Sequence, residues 1–476
     1  MTDFFYTILL ILVVIGIFNI IIFVHELGHF LAARWRGLRV DRFQIWFGKP
    51  IWKKEFNGVQ YGLGWLPFGG FVALPQMATM ESVEGANRTG DELPPVSPLD
   101  KIIVAFAGPF FSLMLAFLAG FLVWGFGKPQ DAIKSTVIGA VVKDGPADKA
   151  GLKAGDKILK VDGEPVKWFQ GSLFDDVVTR VMLTEGDSVT FEIERDGKVE
   201  TVVSEFEIEE TPFFKRRALP KVGIGPNSPA VVGGLIEDKN GVPGPAERAG
   251  IKPGDEIVAV NGNKVYGWEG VGILFQENDW KQSLIKVTRG EEFLEFEMTP
   301  LKPEGDFYEN PMIGVQWDPE YRYTTEIIHP NPWEQVRDSL RMMFLTIKKV
   351  SSPTSHVGVD QLSGPIGIAK TNYLLLEQPN GWLRMLAFFV LFNVNLAVLN
   401  MLPLPVLDGG HIVMAISEWI RGKPLPTKFL EIVQSACALV IIGFMLYVTT
   451  KDIGDEVPHN KVSEKDMELV WPAPAN

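Results

Sequence analysis

A single cysteine, Cys437, stands in the 476 residues, so no intramolecular disulfide can form. It lies in an apolar run and says little about redox compartment. The chain has no block of basic residues of the kind that binds nucleic acid, and its net charge is −13, which argues against a nucleic-acid partner. Charge is missing altogether from Phe4 to Val24, where Asn19 is the only strongly polar residue. No Lys or Arg precedes that run and no small-x-small cleavage site follows it, so it does not read as a cleaved signal. Cleavage there would also discard the motif that comes next.

What is present fits a membrane protein with a large water-exposed part. Hydrophobic residues make up 46% and mean hydropathy is +0.12, high for a soluble chain and low for a wholly embedded one. The length calls for several domains. Four apolar segments are long enough to span a bilayer: Phe4 to Val24, Ile102 to Phe126 with a break expected at Ala107-Gly108-Pro109, Trp382 to Leu402, and Leu430 to Val448. Arg34, Arg36, Arg39, Arg42, Lys49, Lys53 and Lys54 follow the first span. Arg421, Lys423 and Lys428 lie between the third and fourth. The positive-inside rule makes both loops cytoplasmic and places the termini and the segment from about 128 to 380 outside the cytoplasm.

At the end of the first span stands Val24-His25-Glu26-Leu27-Gly28-His29. Residues four apart on a helix lie about 40° from each other around its axis, so His25 and His29 face the same way and can chelate one zinc ion. Glu26 lies beside them as a base for water held at the metal. Ionisable groups at membrane depth are costly, which marks the cluster as functional. A catalytic zinc takes three protein ligands and keeps one position open. The remaining histidines are His329, His356, His411 and His459, and only His411 lies near a membrane segment. It follows Asn400-Met401-Leu402-Pro403-Leu404-Pro405-Val406-Leu407-Asp408-Gly409-Gly410. There the prolines interrupt the third span and the glycines let backbone pass closely. Asp408 is the expected third ligand, with His411 supporting the site. The plainer reading has Asp408 only capping the next helix.

Between the second and third spans the chain repeats itself. Gly145-Pro146-Ala147-Asp148-Lys149-Ala150-Gly151-Leu152-Lys153-Ala154-Gly155-Asp156-Lys157-Ile158 recurs as Gly244-Pro245-Ala246-Glu247-Arg248-Ala249-Gly250-Ile251-Lys252-Pro253-Gly254-Asp255-Glu256-Ile257. The match continues into Val161-Asp162-Gly163 and Val260-Asn261-Gly262. A short helix, a Gly-Asp turn, a strand and an Asx-Gly hairpin turn fit both copies. The pattern resembles the PDZ domain in its bacterial arrangement, with carboxylate-binding loops at Val222-Gly223-Ile224 and Ile313-Gly314-Val315. The domains would either add an extended peptide to a sheet edge or exclude by size. Next, Asn331-Pro332-Trp333-Glu334 reads as a helix start. An apolar stripe from Trp333 through Val336, Leu340, Met343, Phe344, Ile347 and Val350 makes that helix amphipathic. It could lie on lipid or on the PDZ pair.

With these residues assembled, the chain resembles the site-2 protease family of intramembrane zinc metalloproteases, in its sigma-E-regulating bacterial branch. The resemblance rests on His25-Glu26-Leu27-Gly28-His29, Leu407-Asp408-Gly409, Asn400 to Pro405, and Leu362-Ser363-Gly364-Pro365-Ile366-Gly367-Ile368. It implies zinc on His25, His29 and Asp408, acid–base work by Glu26, and substrate contacts by Asn395 and Asn400, with Pro403 and Pro405 alongside. It further implies a membrane re-entrant β-hairpin, for which Tyr61-Gly62-Leu63-Gly64-Trp65-Leu66-Pro67-Phe68-Gly69-Gly70-Phe71-Val72 is the candidate. Gly62 and Gly64 would then lie on a strand edge beside the zinc. The fold expected is a multi-pass α-helical membrane protein with four transmembrane helices, that hairpin and two tandem extracytoplasmic PDZ domains. The divisions are 1–127, 134–226, 227–318, 319–380, 381–452 and an acidic tail at 453–476. Its place would be the bacterial inner membrane, with the active site near the cytoplasmic face. The implied partner is a single-span membrane protein in the lipid bilayer, of anti-sigma-factor type. Remnant signal peptides are other candidates. A non-enzymatic PDZ scaffold is the main rival. A metal transporter ranks last, because the apolar runs are otherwise clean.

Overall fold

The computed structural model describes residues 2–77, 96–172, 174–304, 308, 310–423, 425–456 and 469–472. The expected tail therefore lies outside the described residues at 457–468 and 473–476. The chain divides into two compact units. One contains residues 1–129, 327–347 and 362–453, the other 130–326, 348–361 and 454–476.

The first unit is built on helices. Among the described residues four are long and apolar enough to cross a membrane: α1 (Thr2–Trp35), α2 (Pro98–Phe126), and, further along, Gly381–Asn400 and Thr427–Glu456. All four expected spans are present, and three extend well beyond the uncharged runs. α1 continues through the histidine motif to Trp35 and ends before Gly37, whose φ of 75° suits only glycine comfortably. The break expected at Ala107-Gly108-Pro109 does not occur. α2 runs straight through Pro109, since a proline removes one N–H and neighbouring helices support the rest. Gly28 explains how closely α1 and α2 cross, because a Cβ there would lie 2.5 Å from the Ala107 carbonyl oxygen.

Between α1 and α2 run β1 (Arg42–Phe56) and β2 (Val59–Ala73), joined at Asn57-Gly58 with φ of 49° and 75°, as a type I′ turn requires. Each strand bends back on itself. Residues 42–45 pair on one side with 70–73 and on the other with 60–63, which in turn pair with 52–56. The simple hairpin is thus a four-segment antiparallel sheet, with 70–73 and 52–56 at its edges.

The second unit holds the repeats. After β3 (Lys128–Ala132), the first copy comprises β4 (Ile138–Val141), α3 (Pro146–Lys149), β5 (Lys157–Val161), β6 (Glu164–Pro165), α4 (Val177–Met182), β7 (Ser188–Arg195), β8 (Lys198–Glu205) and β9 (Ile224–Pro226). The second comprises β10 (Val232–Leu235), α5 (Pro245–Ala249), β11 (Glu256–Val260), β12 (Asn263–Lys264), α6 (Trp268–Glu277), β13 (Ser283–Arg289), β14 (Glu292–Met298) and β15 (Val315–Trp317). The sheets match: β6-β5-β7-β8 against β12-β11-β13-β14, and β4-β9 against β10-β15. Both expected Asx-Gly turns have the positive φ pair of a type I′ hairpin, at Asp162-Gly163 and Asn261-Gly262. Phe191, Ile158 and Ile193 fill one core, and Phe275, Ile257 and Ile285 the other.

The repeated aspartate has a partner that the motif did not reveal. Arg195 forks onto Asp156 at 2.6–2.7 Å, and Arg289 onto Asp255 at 2.7–2.8 Å. Each arginine also donates to a carbonyl of its repeat, at Gly151 and Gly250.

Past the repeats come α7 (Pro319–Arg322), β16 (Thr324–Ile328) and α8 (Pro332–Ser351). α8 opens with the expected capping box. The Glu334 amide donates to Asn331 Oδ1 and the Asn331 amide to Glu334 Oε2. Within the first unit α8 packs through Val336 on Ala116, Ala119 and Val123 of α2, and Gln335 donates to the Gly120 carbonyl at 3.0 Å. Trp333 and Phe344 point outward, so the buried face is narrower than the apolar stripe. α9 (Pro365–Glu377) begins at the Leu362–Ile368 motif. Gly364 and Gly367 bring their N–H groups onto the Asp452 carboxylate, a contact that side chains at either glycine would obstruct. α10 (Gly381–Asn400), α11 (Asp408–Arg421) and α12 (Thr427–Glu456) follow.

Candidate metal centre

α1 carries His25 and His29 on one face, and α11 begins at Asp408. The third span ends at Asn400, so Pro403 and Pro405 lie in the turn between α10 and α11 rather than inside a helix. Backbone runs very close there. A Cβ on Gly409 would meet the Met401 carbonyl, and one on Gly410 the Leu404 carbonyl. The glycines let α11 start hard against the turn and bring Asp408 to α1.

The result is a triangle of three side chains, in which Asp408 faces the two histidines through different oxygens. His25 Nε2 and His29 Nε2 are 3.3 Å apart. Asp408 Oδ2 lies 3.3 Å from the first and Oδ1 3.3 Å from the second. All three side chains are buried. Among the described residues this is the one group of three or more His, Cys, Asp or Glu side chains placed to hold a metal.

The donor set fits zinc. The Val104 carbonyl can only accept, and it lies 2.8 Å from His29 Nδ1. That nitrogen therefore carries the proton, and Nε2 turns its lone pair toward the triangle. A cation satisfies the two imidazoles and the carboxylate together. Tetrahedral zinc with bonds of about 2.0–2.1 Å has ligand atoms about 3.3–3.4 Å apart, which the 3.3 Å between His25 Nε2 and His29 Nε2 matches. His25 Nδ1 contacts Ser112 Oγ at 3.0 Å, so both rings are oriented from behind by α2.

A cleft of about 330 Å³ opens on the triangle. Glu26 lines it with His25, His29 and Asp408, and so do Asn400 and His411. Asn400 Nδ2 comes within 3.4 Å of His25 Nε2. Asn395 is not among the lining residues. Five residues earlier on the same helix, it points about 140° away from Asn400, and its Oδ1 is buried without a partner. Phe47, Gly69 and Gly70 bring the sheet to the cleft. A Cβ on Gly70 would stand 3.2 Å from Glu26 Cγ. Gly62 and Gly64 do not reach it. Gly62 pairs with Gln44 on one side and Lys53 on the other, so its ladder positions are taken, and Gly64 packs on the backbone of Trp46 and Phe47. The edge expected at those glycines is at residues 70–73 instead. Gly223 and Ile224, and Gly314 and Val315, belong to the repeats. There Gly223 and Gly314 share positive φ (79° and 74°), and Ile224 and Val315 open β9 and β15.

Sequence reasoning missed Ser112, the Val104 carbonyl, Gly108 and Gln434. A signal existed for the first three. Val104, Gly108 and Ser112 are spaced by four, the same interval as the histidines, so they form the face of α2 that meets them. Gln434 on α12 also lines the cleft, and nothing in its surroundings in sequence marks it.

The family model for peptidase family M50 matches residues 12–444, which covers the metal ligands and all but the ends of the chain. The chain belongs to peptidase family M50. This is the site-2 protease family that the motifs pointed to, and the M50 protein is accordingly a zinc metalloprotease of the membrane. It is 31% identical over 430 residues to a protein of Neisseria meningitidis provisionally named a zinc metalloprotease, spanning 86% of this chain and 91% of the relative. It is 28% identical over 445 residues to the regulator of sigma-E protease RseP of Escherichia coli, spanning 90% and 95%. The regulator of sigma E protease of Haemophilus influenzae is likewise 28% identical over 444 residues, at 90% and 94%.

Proposed function

We propose that this M50 protease hydrolyses peptide bonds inside the transmembrane segment of single-span proteins of the bacterial inner membrane. One observation carries the reading. A ligand triangle fit for zinc is buried among helices able to cross a bilayer, and a carboxylate, Glu26, lines the same cleft.

Zinc, when bound, supplies a Lewis acid that acidifies water and polarises a carbonyl. His25, His29 and Asp408 hold it. Glu26 takes the proton from the attacking water and returns it to the leaving nitrogen. The Asn400 amide donates to the oxyanion that develops on the scissile carbonyl. Asn395 lies outside the cleft lining and takes no part in this chemistry. Pro403 and Pro405 shape the turn that presents Asp408.

A transmembrane helix shields its own peptide bonds, so the segment must unwind and find new partners for its N–H and C=O groups. The outer edge at residues 70–73 offers them, because 42–45 pairs with only one side of it. At Gly69 and Gly70 the sheet passes close to Phe47 and Glu26. Gly62 lies inside the sheet and Gly64 against the Trp46–Phe47 backbone, away from that edge.

The basic residues after α1 and after α11 put the metal near the cytoplasmic face. The same rule favours termini and repeats in the periplasm. The repeats act as PDZ domains that filter substrates, either taking peptide at Gly223-Ile224 and Gly314-Val315 or excluding by size. The names of the RseP relatives support an anti-sigma factor, already trimmed by another protease, as the substrate. Remnant signal peptides are a second class.

Glu26→Gln tests the mechanism. The variant should bind zinc as the parent does and lose cleavage of a model transmembrane substrate in detergent or liposomes. Undiminished cleavage by the zinc-loaded variant would refute the role of Glu26.

A further inference from the structure

The two repeats differ at one loop. In the first copy, two residues separate Val142 from Gly145, and the Gly145 amide closes the turn onto the Val142 carbonyl at 3.0 Å. In the second copy the equivalent residues are Ile236 and Gly244. The assignment is structural: Val142 N donates to the Gly223 carbonyl as Ile236 N does to that of Gly314, and Ala147 N donates to Val222 as Ala246 N does to Ile313. Seven residues separate Ile236 from Gly244. The longer loop opens the turn, and the Ile236 carbonyl finds a different donor.

That donor is Trp471, near the chain's C-terminal end. Its indole Nε1–H donates to the Ile236 carbonyl at 3.1 Å, and its backbone N–H to Asp238 Oδ2 at 3.2 Å. The side chain is 3% exposed, in a chain segment that forms neither helix nor strand. Gly244 and Gly314 make the space: a Cβ at either would come within 3.0–3.2 Å of the indole. Two backbone bonds flank it, Lys239 N–H to the Leu469 carbonyl at 3.2 Å and Glu304 N–H to the Val470 carbonyl at 2.9 Å. Asp238 also braces the inserted loop, its Oδ1 accepting from Asn240 and Val242 at 2.7 and 2.8 Å. Burial pushes the Asp238 carboxyl up, but the amides of Val242, Asn240 and Trp471 outweigh it and hold the group below its ordinary value. A buried aromatic with a satisfied N–H, set among backbone bonds on both sides, is the anatomy of a specific docking contact rather than of a loose end.

We propose that the lengthened loop of the second repeat is a docking socket whose ligand is the chain's own C-terminal segment, Leu469–Pro472. The tail is a latch in cis. It covers the Ile313-Gly314 end of the second repeat, while among the described residues no such segment covers the short turn of the first. The inference does not depend on the catalytic reading.

Hydrogen exchange read by mass spectrometry on the full chain in detergent tests it. In Trp471→Ala, the segments containing Lys239 and Glu304 should exchange at least 10-fold faster than in the parent. The amides of β13 and of the first repeat's Val142–Gly145 turn should be unchanged. Trp471→Phe keeps the bulk but loses the indole donor, and should fall between the two. Exchange at Lys239 and Glu304 unaltered by Trp471→Ala would overturn the proposal. So would acceleration spread equally over β13, because the residue would then be part of the repeat's core and not a detachable latch.

Discussion

Gly108→Ala should destroy the metal site while leaving the fold intact. On helix propensity alone, replacing a glycine by alanine inside α2 is worth about 1 kcal/mol of added stability. The tertiary structure predicts the reverse for function. A Cβ at residue 108 would stand 2.2 Å from His29 Nε2 and 2.9 Å from His25 Cε1. Ordinary contact is about 3.5 Å, so the His29 ring must retreat by more than about 1 Å. Metal–ligand distances tolerate only about 0.2 Å. His29 has little freedom to retreat, because its Nδ1–H is tied to the Val104 carbonyl. Loss of a ligand should weaken zinc binding by more than the roughly 10–100-fold that follows when a residue behind a ligand is removed. The assay is zinc content of the purified chain after dialysis against a graded zinc buffer, together with its thermal unfolding. Gly125→Ala is the control. It lies in the same helix with open space around its Cβ, and should keep zinc. If Gly108→Ala binds zinc as the parent does, the contact between α1 and α2 does not set the imidazole positions and the argument fails.

Other outcomes follow from the same structure. Ser112→Ala removes the contact to His25 Nδ1 and should lower zinc affinity about 10-fold, measured by competition with a chelator, without unfolding the chain. Arg289→Met leaves Asp255 buried without its partner and should destabilise the second repeat, read as faster exchange across β11 and β13 than across β5 and β7. Burial pushes the Asp255 carboxyl up, yet the hydrogen bonds from Arg289 and the Lys252 amide prevail and hold it below its ordinary value. A lowered carboxyl contributes stability that is fully present above its unfolded value, about pH 4, and is lost as pH falls through the folded one. That acid-sensitive loss in the second repeat should shrink in Arg289→Met, as followed by exchange between pH 6 and pH 3.

Much of the architecture was legible because it rests on local rules. Uncharged runs mark spans, and the repeat marks duplicated domains, whose Asx-Gly turns adopt the backbone their residues favour. The capping box at Asn331 and Glu334 formed as written. Errors arose where packing decides. Pro109 does not break α2, because helices around it replace the support that a lone helix would lack. The family resemblance put Gly62 and Gly64 on an open edge. Both strands of the sheet fold back, however, and a reversal of that kind depends on long-range pairing that alternating glycines do not encode. The apolar stripe of α8 was wider than the face it buries, with Trp333 and Phe344 left exposed.

By itself the sequence determined the chemistry. Two histidines one turn apart, a glutamate between them and a distant aspartate are a zinc hydrolase's parts, and their residue types fix what they can do. Tertiary structure decided the geometry. Whether Asp408 reaches 3.3 Å from both rings depends on how closely backbone passes at Gly409 and Gly410. The direction of the imidazoles depends on Val104 and Ser112 behind them. Which strand lies open beside Glu26 depends on how the sheet folds back. Each of these is a distance between residues far apart in the chain. Such distances are set by the sum of many packing contacts, and no local pattern carries that sum.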